Sequence, residues 1–147
     1  MSPFPQDIIQ AAIASRRKWG VPASVTLAQW SVESNFGRAM PPGSNNPFGI
    51  KALPGQPSVT ARTSENVKGK VIYIEAKFRA FASLSDAFDQ HGRLLATAPV
   101  YAKAMASKNN PNAFAAALTG IYASNPHYGI ELQGRMKQYN LYQYDDQ

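Results

Sequence analysis

Apolar positions along this chain recur at helical spacing in its first and last thirds and alternate in between. Residues 7–19 place Ile8, Ile9, Ala12 and Ile13 on one stripe, the signature of an amphipathic helix. Asp7 stands where a cap belongs and Gly20 where a helix stops. A second helix opens after Pro22 and runs to Ser34, with Asn35 and Gly37 ending it. Residues 38–57 are rich in proline, glycine, serine and asparagine and read as one long loop, a length more often functional than decorative in a compact domain. From Val59 the period becomes two. Ile72, Ile74, Ala76, Phe78 and Ala80 share one face, and Asn66-Val-Lys-Gly-Lys70 is a turn, so 59–65 and 71–81 form a β-hairpin within an insert at about 58–82. Helices then return. Ser83 or Ser85 caps one carrying Leu84, Phe88, His91 and Leu95; Asn110-Pro111 opens one through Phe114, Leu118 and Ile121; a last one follows Tyr128 to about Tyr139. These elements predict a single domain over residues 1–147, α+β in class and mostly helical, with a small β-hairpin lobe beside a helical lobe.

Composition limits the chemistry more than the fold. A chain of 147 residues with 44% hydrophobic and 16% charged positions has globular composition. With no cysteine there is no disulfide framework and no thiol nucleophile. His91 and His127 are the only histidines and lie far apart, so no metal site is implied, and no cofactor. No apolar run approaches the roughly 20 residues that cross a bilayer, and no signal peptide is visible at the start. Fifteen Lys and Arg against nine Asp and Glu give a net charge of +6, which suits a polyanionic partner. The one basic run, Arg16-Arg17-Lys18, falls at a helix end, where cations complement the dipole. The other basic residues are scattered, and nucleic-acid binding is not expected.

Nine carboxylates can be taken one at a time. Asp7, Asp86 and Asp89 fit helix starts, and Asp145 and Asp146 fall in the tail. Glu131 has Arg135 four residues on, an ordinary surface pair, and Glu75 shares a polar strand face with Lys77 and Arg79. Glu33 and Glu65 are left. Glu33 lies in the last turn of its helix, at the negative end of the dipole, between Trp30 and Phe36. Both settings disfavour the ionised form and raise the pKa, which suits an acid that protonates a leaving oxygen; the competing reading is a solvent-facing glutamate at a fraying end. Glu65, behind Thr60, Thr63 and Ser64, is expected to stay solvated and ionised, as a base, a stabiliser of positive charge, or an exposed hairpin acid near Lys68 and Lys70.

The motif Leu27-Ala-Gln-Trp-Ser-Val-Glu-Ser-Asn-Phe-Gly37 resembles the catalytic helix of the peptidoglycan glucosaminidases, glycoside hydrolase family 73. Three further blocks resemble that family in order: Asn46-Pro-Phe-Gly-Ile-Lys51, Ala76-Lys-Phe-Arg-Ala-Phe81 and Tyr122-Ala-Ser-Asn-Pro-His-Tyr128. The resemblance covers about residues 25–142 and implies a lysozyme-like helical lobe with the hairpin flanking a cleft. It implies Glu33 as the catalytic acid, Glu65 as the second carboxylate and Tyr122 as a tyrosine facing Glu33. Asn46, Phe48 and Tyr128 match cleft positions. Trp30 reads as a core anchor, as a wall behind Glu33, or as both, and Phe48 reads equally as plain core. His91, on the apolar stripe, reads as a core histidine. Asn35-Phe36 stands where the family often has glycine-tryptophan, Pro47 where it has leucine, and Ala52–Pro57 lacks a frequent tryptophan.

The activity implied is cleavage of the β-1,4 bond between N-acetylglucosamine and N-acetylmuramic acid in the bacterial cell wall. The alternatives are a muramidase or lytic transglycosylase acting on the alternate bond, and a non-catalytic wall-binding module. The expected partner is the glycan strand of peptidoglycan, with no nucleic acid and no membrane insertion, and a monomer is the expected state. The site of action is the wall, periplasmic or extracellular, and a phage lysin released by lysis machinery or carried on the virion is the expected source.

Overall fold

The computed structural model describes residues 2–147. Helix α1 (Gln6–Trp19) buries the Ile8, Ile9, Ala12 and Ile13 stripe and ends where Gly20, at φ 85°, bonds back to the Arg16 carbonyl with Arg16, Arg17 and Lys18 in the last turn. Its cap is Pro5, two residues before the Asp7 that the sequence suggests. Proline fixes the entry backbone, and Asp7 sits inside the first turn.

Helix α2 (Ala23–Ser34) is the centre of the molecule. Ten of its twelve residues are buried, including Ser24, Thr26, Gln29 and Ser31. A helix buried on all sides needs neighbours all round, and α1, α6 (Tyr128–Gln138) and the C-terminal 3-10 turn Leu141–Asp146 surround it. Its N-terminus is capped from the far end of the chain. Asp145 accepts from the Ser24 backbone N–H at 2.8 Å and from the Ser24 hydroxyl at 2.6 Å, satisfying helix donors that Pro22 cannot. The tail position of Asp145 in sequence thus becomes a structural clasp.

Strands β1 (Ser58–Val67) and β2 (Lys70–Arg79) pair antiparallel from Ser58↔Arg79 to Val67↔Lys70. The turn is tighter than expected. Lys68 (φ 52°) and Gly69 (φ 80°) alone form it, and positive φ at both positions matches the twist of paired strands. On the opposite edge of β2, Lys51 bridges Phe78, Arg79 N–H bonds Ile50 O at 2.9 Å and Ala52 N–H bonds Lys77 O at 2.9 Å. The alternating face of β2 is not core. Ile72 is 41% exposed and Ile74 37%, and only Phe78, near the hairpin base, is buried.

Helix α3 (Leu84–Thr97) is capped by the Ser83 hydroxyl, which accepts from Asp86 N–H at 3.0 Å, and buries Phe88, His91 and Leu95. A 3-10 turn, Pro99–Tyr101, leads into a short α4 (Ala102–Met105), elements the apolar pattern does not reveal. Helix α5 (Pro111–Ala117) opens on the Asn110 cap and stops before Ile121, which is 41% exposed. Gly120, at φ 76°, turns the chain there into the loop that precedes α6.

Candidate active site

Only two residues of α2 escape burial, Val32 and Glu33, and both face one cleft of about 850 Å³. The cleft is walled by 39–42 with Asn46, Gly49 and Lys51 on one side and by β1 from Ala61 to Asn66 on another. Gly120–Asn125 with Tyr128 and Glu131 complete it.

Asn46 builds the first wall. Its amide donates to Ile50 O at 2.8 Å and Arg79 O at 2.9 Å, and its oxygen accepts from Phe48 and Ile50 N–H. One buried side chain thereby joins the loop to the hairpin base. Gly49 (φ 66°) passes so close to Glu33 that a Cβ would lie 3.0 Å from Oε2, and this close approach needs glycine.

Glu33 is half-buried at the end of α2, and among the described residues no side chain or N–H donates to its carboxyl. Burial, then the charges of Glu131 and Glu65, push its pKa from 4.5 to about 7. Glu65 is held the other way. Lys51 Nζ donates to Oε1 at 2.6 Å and the Ser124 hydroxyl to Oε2 at 2.9 Å, so its pKa lies below the ordinary value, chiefly through the Lys51 bond. Lys51 pairs beside Phe78, while Glu65 pairs with Ile72, six residues along β2. Six extended residues span about 20 Å, more than two side chains bridge, so the hairpin curls its far end back over its base. Ser124 also accepts from Asn66 N–H at 2.9 Å, which ties the curled hairpin to the loop across the cleft.

The tyrosines stack. Tyr122 and Tyr128 are parallel within 2° at 5.9 Å between centroids. The Tyr122 hydroxyl donates to Phe48 O at 2.6 Å, and the Tyr128 oxygen accepts from Gln29 Nε2 at 2.9 Å. Burial raises both pKa values well above the tyrosine range. His91 lies in the core as expected, stacked on Phe48 at 4.1 Å, its Nε2 2.7 Å from Gln29 Oε1. Burial lowers its pKa to about 3.

The cleft therefore brings together Glu33, Glu65, Tyr122, Tyr128 and Asn46. It does not include the side chains of Trp30 and Phe48 as sugar-binding surfaces. Trp30 is 3% exposed and packs on Phe4 and Phe36; Phe48 is fully buried between Phe88 and His91. Both aromatic rings are covered by core partners. Glu131 departs from its expected place as a surface ion pair. Arg135 donates to Ser31 Oγ at 3.2 Å and lies over Phe36, while Glu131 accepts from Asn125 Nδ2 at 3.1 Å at the cleft mouth. Gln29, Lys51 and Ser124 carry site geometry that sequence reasoning missed, although each lies inside a motif block quoted above. Among the described residues no group of three or more His, Asp or Glu is arranged to hold a metal ion, and no helix is long and apolar enough to cross a membrane.

Comparison with known proteins places this architecture. A protein of Bacillus subtilis named an exo-glucosaminidase is 31% identical over 135 residues, 88% of this chain and 48% of the relative. One of Lactococcus lactis subsp. lactis, named "Probable N-acetylmuramidase", is 36% identical over 134 residues, 86% of this chain and 30% of the relative. The chain thus spans 30% to 48% of the length of these relatives. The crystal structure of a peptidoglycan hydrolase mutant from Sphingomonas sp. A1 superimposes with a TM-score of 0.83 at 32% identity, over 95% of this chain and 97% of that one. The sequence profile of the glucosaminidase family, described as mannosyl-glycoprotein endo-beta-N-acetylglucosaminidase, matches residues 9–141. With that match over most of its length, the chain belongs to the glucosaminidase family.

Proposed function

We propose that this protein is a peptidoglycan hydrolase that cleaves the β-1,4 bond between N-acetylglucosamine and N-acetylmuramic acid, with Glu33 as general acid. The observation that carries the reading is the contrast between two carboxyl groups in one cleft. Glu33 keeps its proton to about pH 7, and Glu65 is held ionised by Lys51 and Ser124. Environments that separate two titrating carboxyls assign the acid and its opposite number. Glu33 protonates the glycosidic oxygen as the bond to C1 breaks, and the leaving sugar departs with that proton. On the other face of the ring, Glu65 removes a proton from an attacking water. The second route is attack by the sugar's own 2-acetamido group, a known exception to the two-carboxylate scheme. The net charge of +6 suits a substrate rich in carboxylate and phosphate and supports action at the bacterial wall.

The test is mass spectrometry of purified peptidoglycan digested by the protein and reduced with borohydride. Reduced N-acetylglucosamine ends support the reading. Reduced muramic ends replace it by a muramidase, anhydro-muramic ends by a lytic transglycosylase, and no new ends by a wall-binding module. Glu33→Gln abolishes the release of ends, and a fully active Glu33→Gln protein refutes the assignment of the acid.

A further inference from the structure

The hairpin is a sheet of two strands, so each strand has one edge that its neighbour leaves unpaired. At its base, the outer edge of β2 is covered by residues 50–52 through the bonds given above. The outer edge of β1 has no such cover. All six consecutive residues 61–66 line the cleft. Successive side chains of a strand point to opposite faces, so a strand that lines one space with six residues in a row meets it edge-on. β2 occupies the other edge of β1, and the edge in the cleft is therefore the free one. Asn66 sets the phase of its backbone groups. The Asn66 N–H donates to Ser124 Oγ at 2.9 Å, away from β2. In an antiparallel ladder the N–H and C=O of one residue share an edge, and every second residue repeats it. The register runs unbroken along β1. Ser64 and Arg62, two and four residues back, thus turn N–H and C=O to the cleft, while Ala61, Thr63 and Glu65 bond β2. Among the described residues nothing bonds the outward groups of Arg62 or Ser64, and both residues are exposed. The Arg62 guanidinium lies over the Tyr73 ring at 4.8 Å and, unlike that of Lys51, its charge is in no ion pair among the described residues.

We propose that the free edge of β1 at Arg62 and Ser64 binds the peptide carried by the muramic acid of peptidoglycan, in extended form, as an added strand. This rests on the glycosidase reading and assigns a place to a second part of the same substrate. Three observations select the occupant. Outward donor and acceptor pairs recur every two residues, about 7 Å, which is the repeat of an extended peptide, and main-chain pairing at a sheet edge is a general mode of peptide capture. The loop 120–125 stands across the cleft and is tied to the end of β1 by Ser124, so the edge faces a cleft of about 850 Å³, room for a single chain and not for a second folded copy. Arg62 sets a cation beside that edge, which suits the carboxylates of such a peptide.

The test compares purified peptidoglycan with the same material after an amidase has removed its peptides. Ser64→Pro deletes one outward N–H, and proline is tolerated at such an edge position because no ladder bond is lost. Values of kcat and KM are measured for the parent and for Ser64→Pro on both materials, with melting curves to confirm folding. The variant-to-parent ratio of KM is expected to be about tenfold larger on the peptide-bearing material than on the stripped one, the equivalent of one hydrogen bond. Equal ratios overturn the proposal, since a merely structural effect of the proline acts on both materials alike. Should Ser64→Pro fail to fold, amide exchange in the parent, with and without the peptides released by the amidase, carries the test. The Arg62 and Ser64 N–H groups are expected to exchange severalfold more slowly when the peptides are added, and unchanged exchange overturns the proposal. A parent that sediments as a dimer, with Ser64→Pro a monomer, gives the edge to a second copy and overturns it as well. Failure of the underlying reading looks different, because the parent then releases no N-acetylglucosamine ends from either material.

Discussion

An acid that must keep its proton near neutrality destabilises the protein that holds it, and the cost can be measured through Glu33→Gln. The folded-state pKa of Glu33 is about 7 against an ordinary 4.5. Between these values the native chain holds a proton that the unfolded chain has released. Glu33 therefore imposes no penalty below pH 4.5, and stability falls as pH rises through 7. Above that the penalty is complete. A difference of 2.5 pKa units corresponds to about 3 kcal/mol at roughly 1.4 kcal/mol per unit. Glutamine cannot ionise and escapes it. In melting curves, Glu33→Gln and the parent are expected to unfold at nearly the same temperature at pH 4. At pH 8.5 the variant melts about 10 °C higher, taking roughly 3 °C per kcal/mol for a chain of this size. The parent's kcat falls tenfold per pH unit on the alkaline side of about 7, following the same ionisation. An equal melting difference at both pH values, or none at either, refutes the argument that Glu33 is held protonated by its surroundings.

Three further predictions follow from the same cleft. Glu131→Gln removes the larger of the two carboxylate charges acting on Glu33, so the alkaline limb of the kcat profile moves to lower pH by a fraction of a unit; an unmoved limb shows that Glu131 exerts no field on the acid. Lys51→Met removes the main cause of the lowered Glu65 pKa, and where Glu65 is the base the acid limb moves to higher pH, with an unshifted limb assigning the second step to the substrate's acetamido group. Gly49→Ala forces a side chain onto a φ of 66° with its Cβ 3.0 Å from Glu33 Oε2; the strain costs about 1–2 kcal/mol, read as a lower melting temperature, and the displaced Glu33 lowers kcat at least tenfold.

The helix ends were legible because their signals are local. Gly20, Asn35, Ser83 and Asn110 act on backbone groups within four residues, and no distant contact changes that geometry. Glu33 was legible for a related reason, since its place at the helix end beside Trp30 and Phe36 is written in consecutive residues. What failed depended on distant partners. Alternation along β2 identifies a face, but whether anything covers Ile72 and Ile74 is decided by the hairpin's curl. The i, i+4 rule paired Glu131 with Arg135, worth only a few tenths of a kcal/mol on an exposed helix, and Arg135 finds Ser31 and Phe36 on other elements instead. Asp145 looked like a tail residue because its partner, Ser24, is 121 residues away. Trp30 and Phe48 are aromatic and near the acid in sequence, which marks a sugar platform and a core anchor alike. Burial against Phe4, Phe36, Phe88 and His91 separates the two.

The opposed states of the two carboxyls come from one act of folding. Glu33 is fixed by α2, the most enclosed helix. Glu65 owes its ionised state to groups on two other segments, Lys51 at the hairpin base and Ser124 in the loop before α6. Neither reaches it unless the hairpin curls and its far end seats on that loop, where Asn66 N–H completes the contact to the same serine. The charge so fixed on Glu65 in turn contributes to holding the proton on Glu33. The coupling runs from hairpin closure to Glu65 and from Glu65 to Glu33. Asn46 ties the loop to the hairpin base through one bond, to Arg79 O, and braces the loop itself through three more to Phe48 and Ile50.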